Sequence, residues 1–150
     1  MLDLLNNKEG KTMFSTKFDS YVCAGDSITT EIDGVTYTAT IVHDIDAHID
    51  DDDSHNTDQG VTGCDDKQQA RLLAAREAWF NNEWFFCGVM IGARKGDIEI
   101  YDNCASLWSV EANYPGSDNA YLTEVANELL PEAIEDAKKA LADMVAKLTA

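Results

Sequence analysis

Positive charge is what this sequence has least of. Eleven Lys and Arg stand against 28 Asp and Glu, a formal net charge of −17 over 150 residues. Phosphate is bound by neutralising it with Lys and Arg and releasing counterions, so direct binding of nucleic acid or of an anionic membrane is a poor purpose for such a chain. The bases are also missing in blocks. None occurs between Lys17 and Lys67, a span holding Asp19, Asp26, Glu31, Asp33, Asp44, Asp46, Asp50, Asp51, Asp52, Asp53, Asp58, Asp65 and Asp66. None occurs between Lys95 and Lys138, where Asp97, Glu99, Asp102, Glu111, Asp118, Glu124, Glu128, Glu132, Glu135 and Asp136 lie. Ordinary soluble surfaces intersperse the two signs, and a one-sided charge costs the compact state some self-repulsion.

Other absences narrow the class. Cys23, Cys64, Cys87 and Cys104 are scattered without a C-x-x-C pair, and MLDLLNNKEGK has neither a basic n-region nor a signal-peptide apolar run. The expectation is a reducing cytoplasm. No stretch approaches the roughly 18 to 20 apolar residues of a membrane span. The chain also lacks a Gly-x-Ser-x-Gly elbow, a phosphate-cradling glycine loop with its Lys, and a recognisable Cys–His pairing. No catalytic residues and no cofactor are expected, and the protein is read as a non-enzyme.

What is present reads as one α+β domain. Residues 1–16 are polar and predict a flexible N-terminal arm, with the single domain over 17–150. Ile28, Thr30 and Ile32, an Asp33-Gly34 turn, then Val35, Tyr37, Ala39 and Ile41 alternate as a β-hairpin. Residues 44–65 lack a sustained period and predict a long acidic loop. Residues 67–81 carry Ala70, Leu73, Ala74, Ala78 and Trp79 at helical spacing behind Asp65 and Asp66. EWFFCGVMIGA suits a central strand; a turn at residues 94–97 leads into DIEIYD, and ASLWSVEA supplies a last strand or its continuation.

At about 100° per residue, Leu122, Ala126, Leu129, Leu130, Ala133, Ala137, Leu141, Met144 and Leu148 form one stripe of a long C-terminal helix, with Glu124, Glu128, Glu132 and Glu135 opposite. Pro131 predicts a kink or break near Leu130. The fold expected is an antiparallel sheet of four to five strands with two helices, most simply both on one face.

The stretch HDIDAHIDDDDSH, residues 43–55, concentrates aspartate and histidine. As a calcium loop beginning at Asp44 it would need Gly at position six and Glu at position twelve, where Ile49 and His55 stand. Zinc would have to draw on His43, His48, His55 and a distant Cys64. Trp79, Phe80, Trp84, Phe85, Phe86 and Trp108 read as core packing rather than a ligand cage, and Cys87 as a small buried hydrophobe.

The acids support a different idea. Glu124, Glu128 and Glu132 repeat every four residues, a rise of about 6 Å. Together with Asp44, Asp46, Asp50 to Asp53, Asp58, Glu135 and Asp136, that ladder imitates the charge of a nucleic-acid backbone, which carries a phosphate about every 3.4 Å per strand. The bland alternative is a surface that is merely acidic, for solubility or a salty habitat.

The segments NNEWFFCGV, CASLWSVEANYPGSDNAYLTEVANELL and GDSITTEIDGVTYTATIVHD resemble a group of small acidic proteins encoded by bacteriophages, prophages and mobile elements, over Gly25 to Leu141. No activity or site residues come with that resemblance. It implies a context in which accessory genes often block host defence. The expected function is therefore a DNA-mimic inhibitor of anti-CRISPR or anti-restriction type, whose partner is a basic nucleic-acid-binding host protein or defence complex. The rivals are a divalent-metal protein using residues 43–55 and a homodimeric phage accessory protein joined through its aromatic belt.

Overall fold

The computed structural model describes residues 12–51 and 66–150. Its sheet opens with the predicted hairpin, β1 (Ser27–Ile32) and β2 (Val35–His43). Asp33 and Gly34 both take positive φ, 52° and 79°, the two-residue turn whose twist matches that of the strands it joins. Val35, Tyr37, Ala39 and Ile41 are buried, while Thr36, Thr38 and Thr40 on the other face are half-buried. β3 (Phe85–Lys95) and β4 (Ile98–Ala112) complete an antiparallel meander in the order β1-β2-β3-β4.

The sheet has four strands because DIEIYD and ASLWSVEA are one continuous β4. Bulges let so long a strand stay in register. Cys87 pairs with Val110 but Val89 with Leu107, so β4 carries an extra residue there, and Ser109 adopts φ 58°. A second shift separates Ile91↔Ala105 from Ala93↔Tyr101.

One face of the sheet is covered by the long C-terminal helix, here α2 (Ala120–Thr149), which follows the shorter α1 (Asp66–Phe80). Leu122, Ala126, Leu130, Ala133 and Ala137 of α2 pack against Ile41, Cys87, Val89, Ile91 and Val110. The helix is not broken at Pro131. Proline lacks an N–H and crowds the carbonyl four residues back, but Pro131 is exposed, on the side where water can satisfy the carbonyl it frees.

The segment before β1 closes the flank of this core. Phe14, Phe18 and Val22 are buried; the Phe14 N–H donates to Asn127 Oδ1 at 2.8 Å and the Phe18 N–H to Thr123 Oγ1 at 3.0 Å. The expected arm at residues 1–16 is thus corrected for its last residues, since Phe14 supplies an apolar anchor and α2 a polar partner; residues 1–11 lie outside the described residues. Asn113 holds both backbone groups of Val22, and the fully buried Asn119 bonds Asn113 and the Ser20 carbonyl. Both asparagines sit at φ 63°, a left-handed region that Asn tolerates better than most residues.

The two helices do not share a face. Phe86 and Cys87 are neighbours on a strand and point to opposite sides. Cys87 belongs to the α2 core, whereas Phe86 packs with Ile49, Ala78 and Trp84 in a second cluster flanked by Ala47, Trp79 and Tyr114. α1 reaches the molecule through this second cluster and buries only Ala75 and Ala78, leaving Leu73 and Phe80 exposed. The start of β3, apolar on both sides, makes two cores possible. Among the described residues no helix is long and apolar enough to cross a membrane.

Candidate functional site

The first candidate surface is the outer side of α2. Its buried residues fix the helix rotation, so Glu124, Glu128, Glu132 and Glu135 project within about 80° of arc on the solvent side, and all four are exposed. The neighbouring flank continues the charge toward β4, the sheet edge. Tyr121 on α2 donates its hydroxyl to the Glu111 carbonyl of β4. Asp136 of α2 and Asp102 of β4 both face the buried Cys104; burial first, then these carboxylates, push its thiol up to about 11. Asp102 and Asp136 of the second base-free span thus lie near one buried thiol. Burial likewise pushes the Cys87 thiol up to about 12, with Asp44 adding to the shift, so neither buried thiol presents a thiolate at neutral pH.

The second candidate is the quoted Asp/His stretch, and its described part is not a solvated loop. Leaving β2, Asp44 donates its N–H to the Phe86 carbonyl at 2.9 Å, while its carboxylate accepts the Ser109 N–H at 2.9 Å. Asp44 thereby caps the β4 bulge. Ile49, in a short 3-10 turn (Ile49–Asp51), is fully buried in the second cluster. Asp50 pairs with Arg76 of α1, and that hydrogen-bonded guanidinium holds its carboxyl below the ordinary aspartate value. His48 lies edge-on to Trp79 at 4.7 Å and accepts the Asp50 N–H through Nδ1 at 3.1 Å.

These contacts decide whether the expected acidic surface is one face. Asp50 is tied to α1, on the Phe86 side of the sheet, whereas the glutamates of α2 stand beyond the Cys87 side. Among the described residues, Asp50 and the glutamates of α2 are therefore on opposite sides. Asp46 is exposed and shares a shallow hollow with His43, Ile45 and Trp108. Of the other residues assigned to the surface, Asp52, Asp53 and Asp58 lie outside the described residues, and so do His55 and Cys64 of the metal reading; the Asp51 side chain does too. Among the described residues no three His, Cys, Asp or Glu side chains converge to hold a metal ion.

The third candidate was not anticipated from the sequence. A cleft of about 550 Å³ opens where α1 ends and β3 begins, lined by Ala24, His43, Trp79, Phe80, Asn82, Trp84 and Phe85. The sequence signal for it is the repeated Trp-Phe pair, Trp79-Phe80 and Trp84-Phe85, on either side of Asn81-Asn82-Glu83. Asn82 at φ 61° ends the helix, with its N–H on the Trp79 carbonyl and the Glu83 N–H on the Ala78 carbonyl, a Schellman closure. That reversal folds the second pair back beside the first. Trp84 is core, its Nε1 donating to the Ala75 carbonyl at 2.7 Å. Phe80 is 53% exposed, and the His43 ring stands edge-on to Phe85 at 5.4 Å.

No family model, no curated protein and no solved structure matches the chain.

Proposed function

We propose that this protein is a non-enzymatic, phage-encoded binding protein whose carboxylate ridge on α2 occupies the cationic nucleic-acid site of a host DNA-binding or defence protein, in the bacterial cytoplasm. The observation that carries the reading is the ridge itself. Four exposed glutamates rise from a helix whose inner face is buried, and no Lys or Arg lies between Lys95 and Lys138 to neutralise them. Residues 124 to 135 rise about 16 Å along the axis, a length over which one DNA strand carries about five phosphates. Like charges so close cost the helix a few tenths of a kcal/mol per pair; a partner rich in Arg and Lys recovers that cost on binding. Association of this kind is fast, electrostatically steered and weakened by salt.

The experiment uses a labelled DNA duplex bound to heparin-purified DNA-binding proteins of a bacterial lysate, followed by fluorescence anisotropy. The wild-type protein is expected to displace the duplex. At about 0.4 kcal/mol per exposed charge contact, the combined variant Glu124→Gln, Glu128→Gln, Glu132→Gln, Glu135→Gln loses about tenfold in potency. Asp46→Asn, on the far side of the sheet, leaves potency unchanged. Equal displacement by wild type and the glutamine variant would sink the reading.

A further inference from the structure

The aromatic cleft at the end of α1 is independent of the α2 ridge, and its chemistry selects a ligand class of its own. We propose that this cleft binds an organic cation, a guanidinium or alkylammonium group, between the rings of Trp79, Phe80 and Phe85. Three features favour a cation over an anionic guest. Among the described residues no basic side chain other than His43 lines the cleft, and the two polar side chains there, His43 and Asn82, each can offer a hydrogen-bond acceptor. The cleft lies at the C-terminal end of a 15-residue helix, the negative end of its dipole. The chain carries −17 formal charges, a field that gathers cations and repels anions. The Arg76 guanidinium, paired with Asp50, sits 5.3 Å from the centre of the Phe80 ring, an intramolecular contact in cation–π range of the kind the guest makes with the rings of the cleft.

The cleft also has the right construction. Trp84 and its bond to Ala75 give it a fixed floor, whereas Phe80 is half-exposed at the mouth, edge-on to Trp79 at 5.0 Å. An aromatic ring left in water beside a void gains contact area when a guest with an apolar or planar body enters. A volume of about 550 Å³ takes an arginine side chain or a small quaternary ammonium ion, and lies within the range of ordinary ligand sites. The cation can be a free small molecule or a side chain of a basic protein; both present the same chemistry.

The test is a fluorescence titration in a Trp108→Phe background, so that Trp79 and Trp84, both on the cleft, report. The probes are N-acetyl-arginine amide, tetramethylammonium, the uncharged citrulline amide and indole. Saturable changes with the two cations, at concentrations where citrulline amide and indole do nothing, are expected. Phe80→Ala weakens them about fivefold, and circular dichroism checks that this half-exposed position leaves the fold intact. A short peptide with one arginine separates the sources: tighter binding than the free amide assigns a protein side chain, tighter binding of tetramethylammonium a free ammonium ion. Binding of indole or citrulline amide as tight as that of the cations, absence of saturation, or a folded Phe80→Ala with unchanged affinity overturns the proposal.

Discussion

Trp108 and Gly88 share one position on the outer face of the sheet. A Cβ built on Gly88 would meet the Trp108 ring at 2.4 Å, so the indole lies directly on the strand where a side chain would otherwise stand. An aromatic ring over a strand glycine restores the cross-strand contact that the glycine gives up. Gly88→Ala is expected to displace the indole and to cost about 1–3 kcal/mol, the range for overpacking, read as a lower urea midpoint and a red-shifted tryptophan emission. Adding Trp108→Ala removes the clash, so the double variant shows less than the sum of the two single losses; simple additivity would contradict the contact. The sequence holds both residues but not their meeting. Trp108 turns outward because β4 carries an extra residue at the Ser109 bulge, and a bulge leaves no mark in an alternation pattern read by eye. The Asp44 carboxylate on the Ser109 N–H is a second contact of this kind, joining residues 65 positions apart.

At the scale of elements, α2 and the hairpin were legible and α1 was only half so. The stripe of α2 repeats over eight turns, and the hairpin couples strict alternation to an Asp-Gly turn, so period alone finds both. α1 is a helix at the predicted place, but its attachment was hidden. The residues it buries are alanines, and its anchor is Ile49, one apolar residue inside an aspartate run. An acidic run reads as solvated because the average aspartate is, and a single isoleucine does not outvote five neighbours in a composition window. Ile49→Ala is expected to cost about 2–4 kcal/mol by opening a cavity, with the loss confined to its own cluster. Hydrogen exchange mapped by peptide should show α1 and residues 83–86 losing protection while α2 and the centre of β2 keep theirs. Uniform loss across the sheet, or none in α1, would contradict the two-cluster description.

For the whole molecule, charge segregation was plain in the sequence while its arrangement in space was not. Alternation tells which side of a strand faces a core, yet says nothing of which core when both sides of β3 are apolar. Hence the helices fall on opposite faces, and among the described residues Glu124, Glu128, Glu132, Glu135 and Asp136 ride on α2, while Asp44 and Asp50 serve the fold, on the β4 bulge and on α1. The division sharpens the functional reading. A decoy for a cationic groove needs charge that is displayed and unspent, which describes the glutamates of α2 better than the aspartates beside β2. The aromatic cleft went unread for a related reason: five aromatic side chains in eight residues look like core, and the Schellman reversal at Asn82 leaves some of them facing a void.

The central claim, that the α2 ridge engages the nucleic-acid site of a cationic protein, is tested most directly by using the purified protein as bait in bacterial lysate and eluting first with duplex DNA and then with salt. The retained partners are expected to be nucleic-acid-binding or defence proteins that come off with DNA at low salt and are not retained by the four-glutamine variant. Partners that withstand both DNA and salt, or that bind the glutamine variant equally well, would contradict the account.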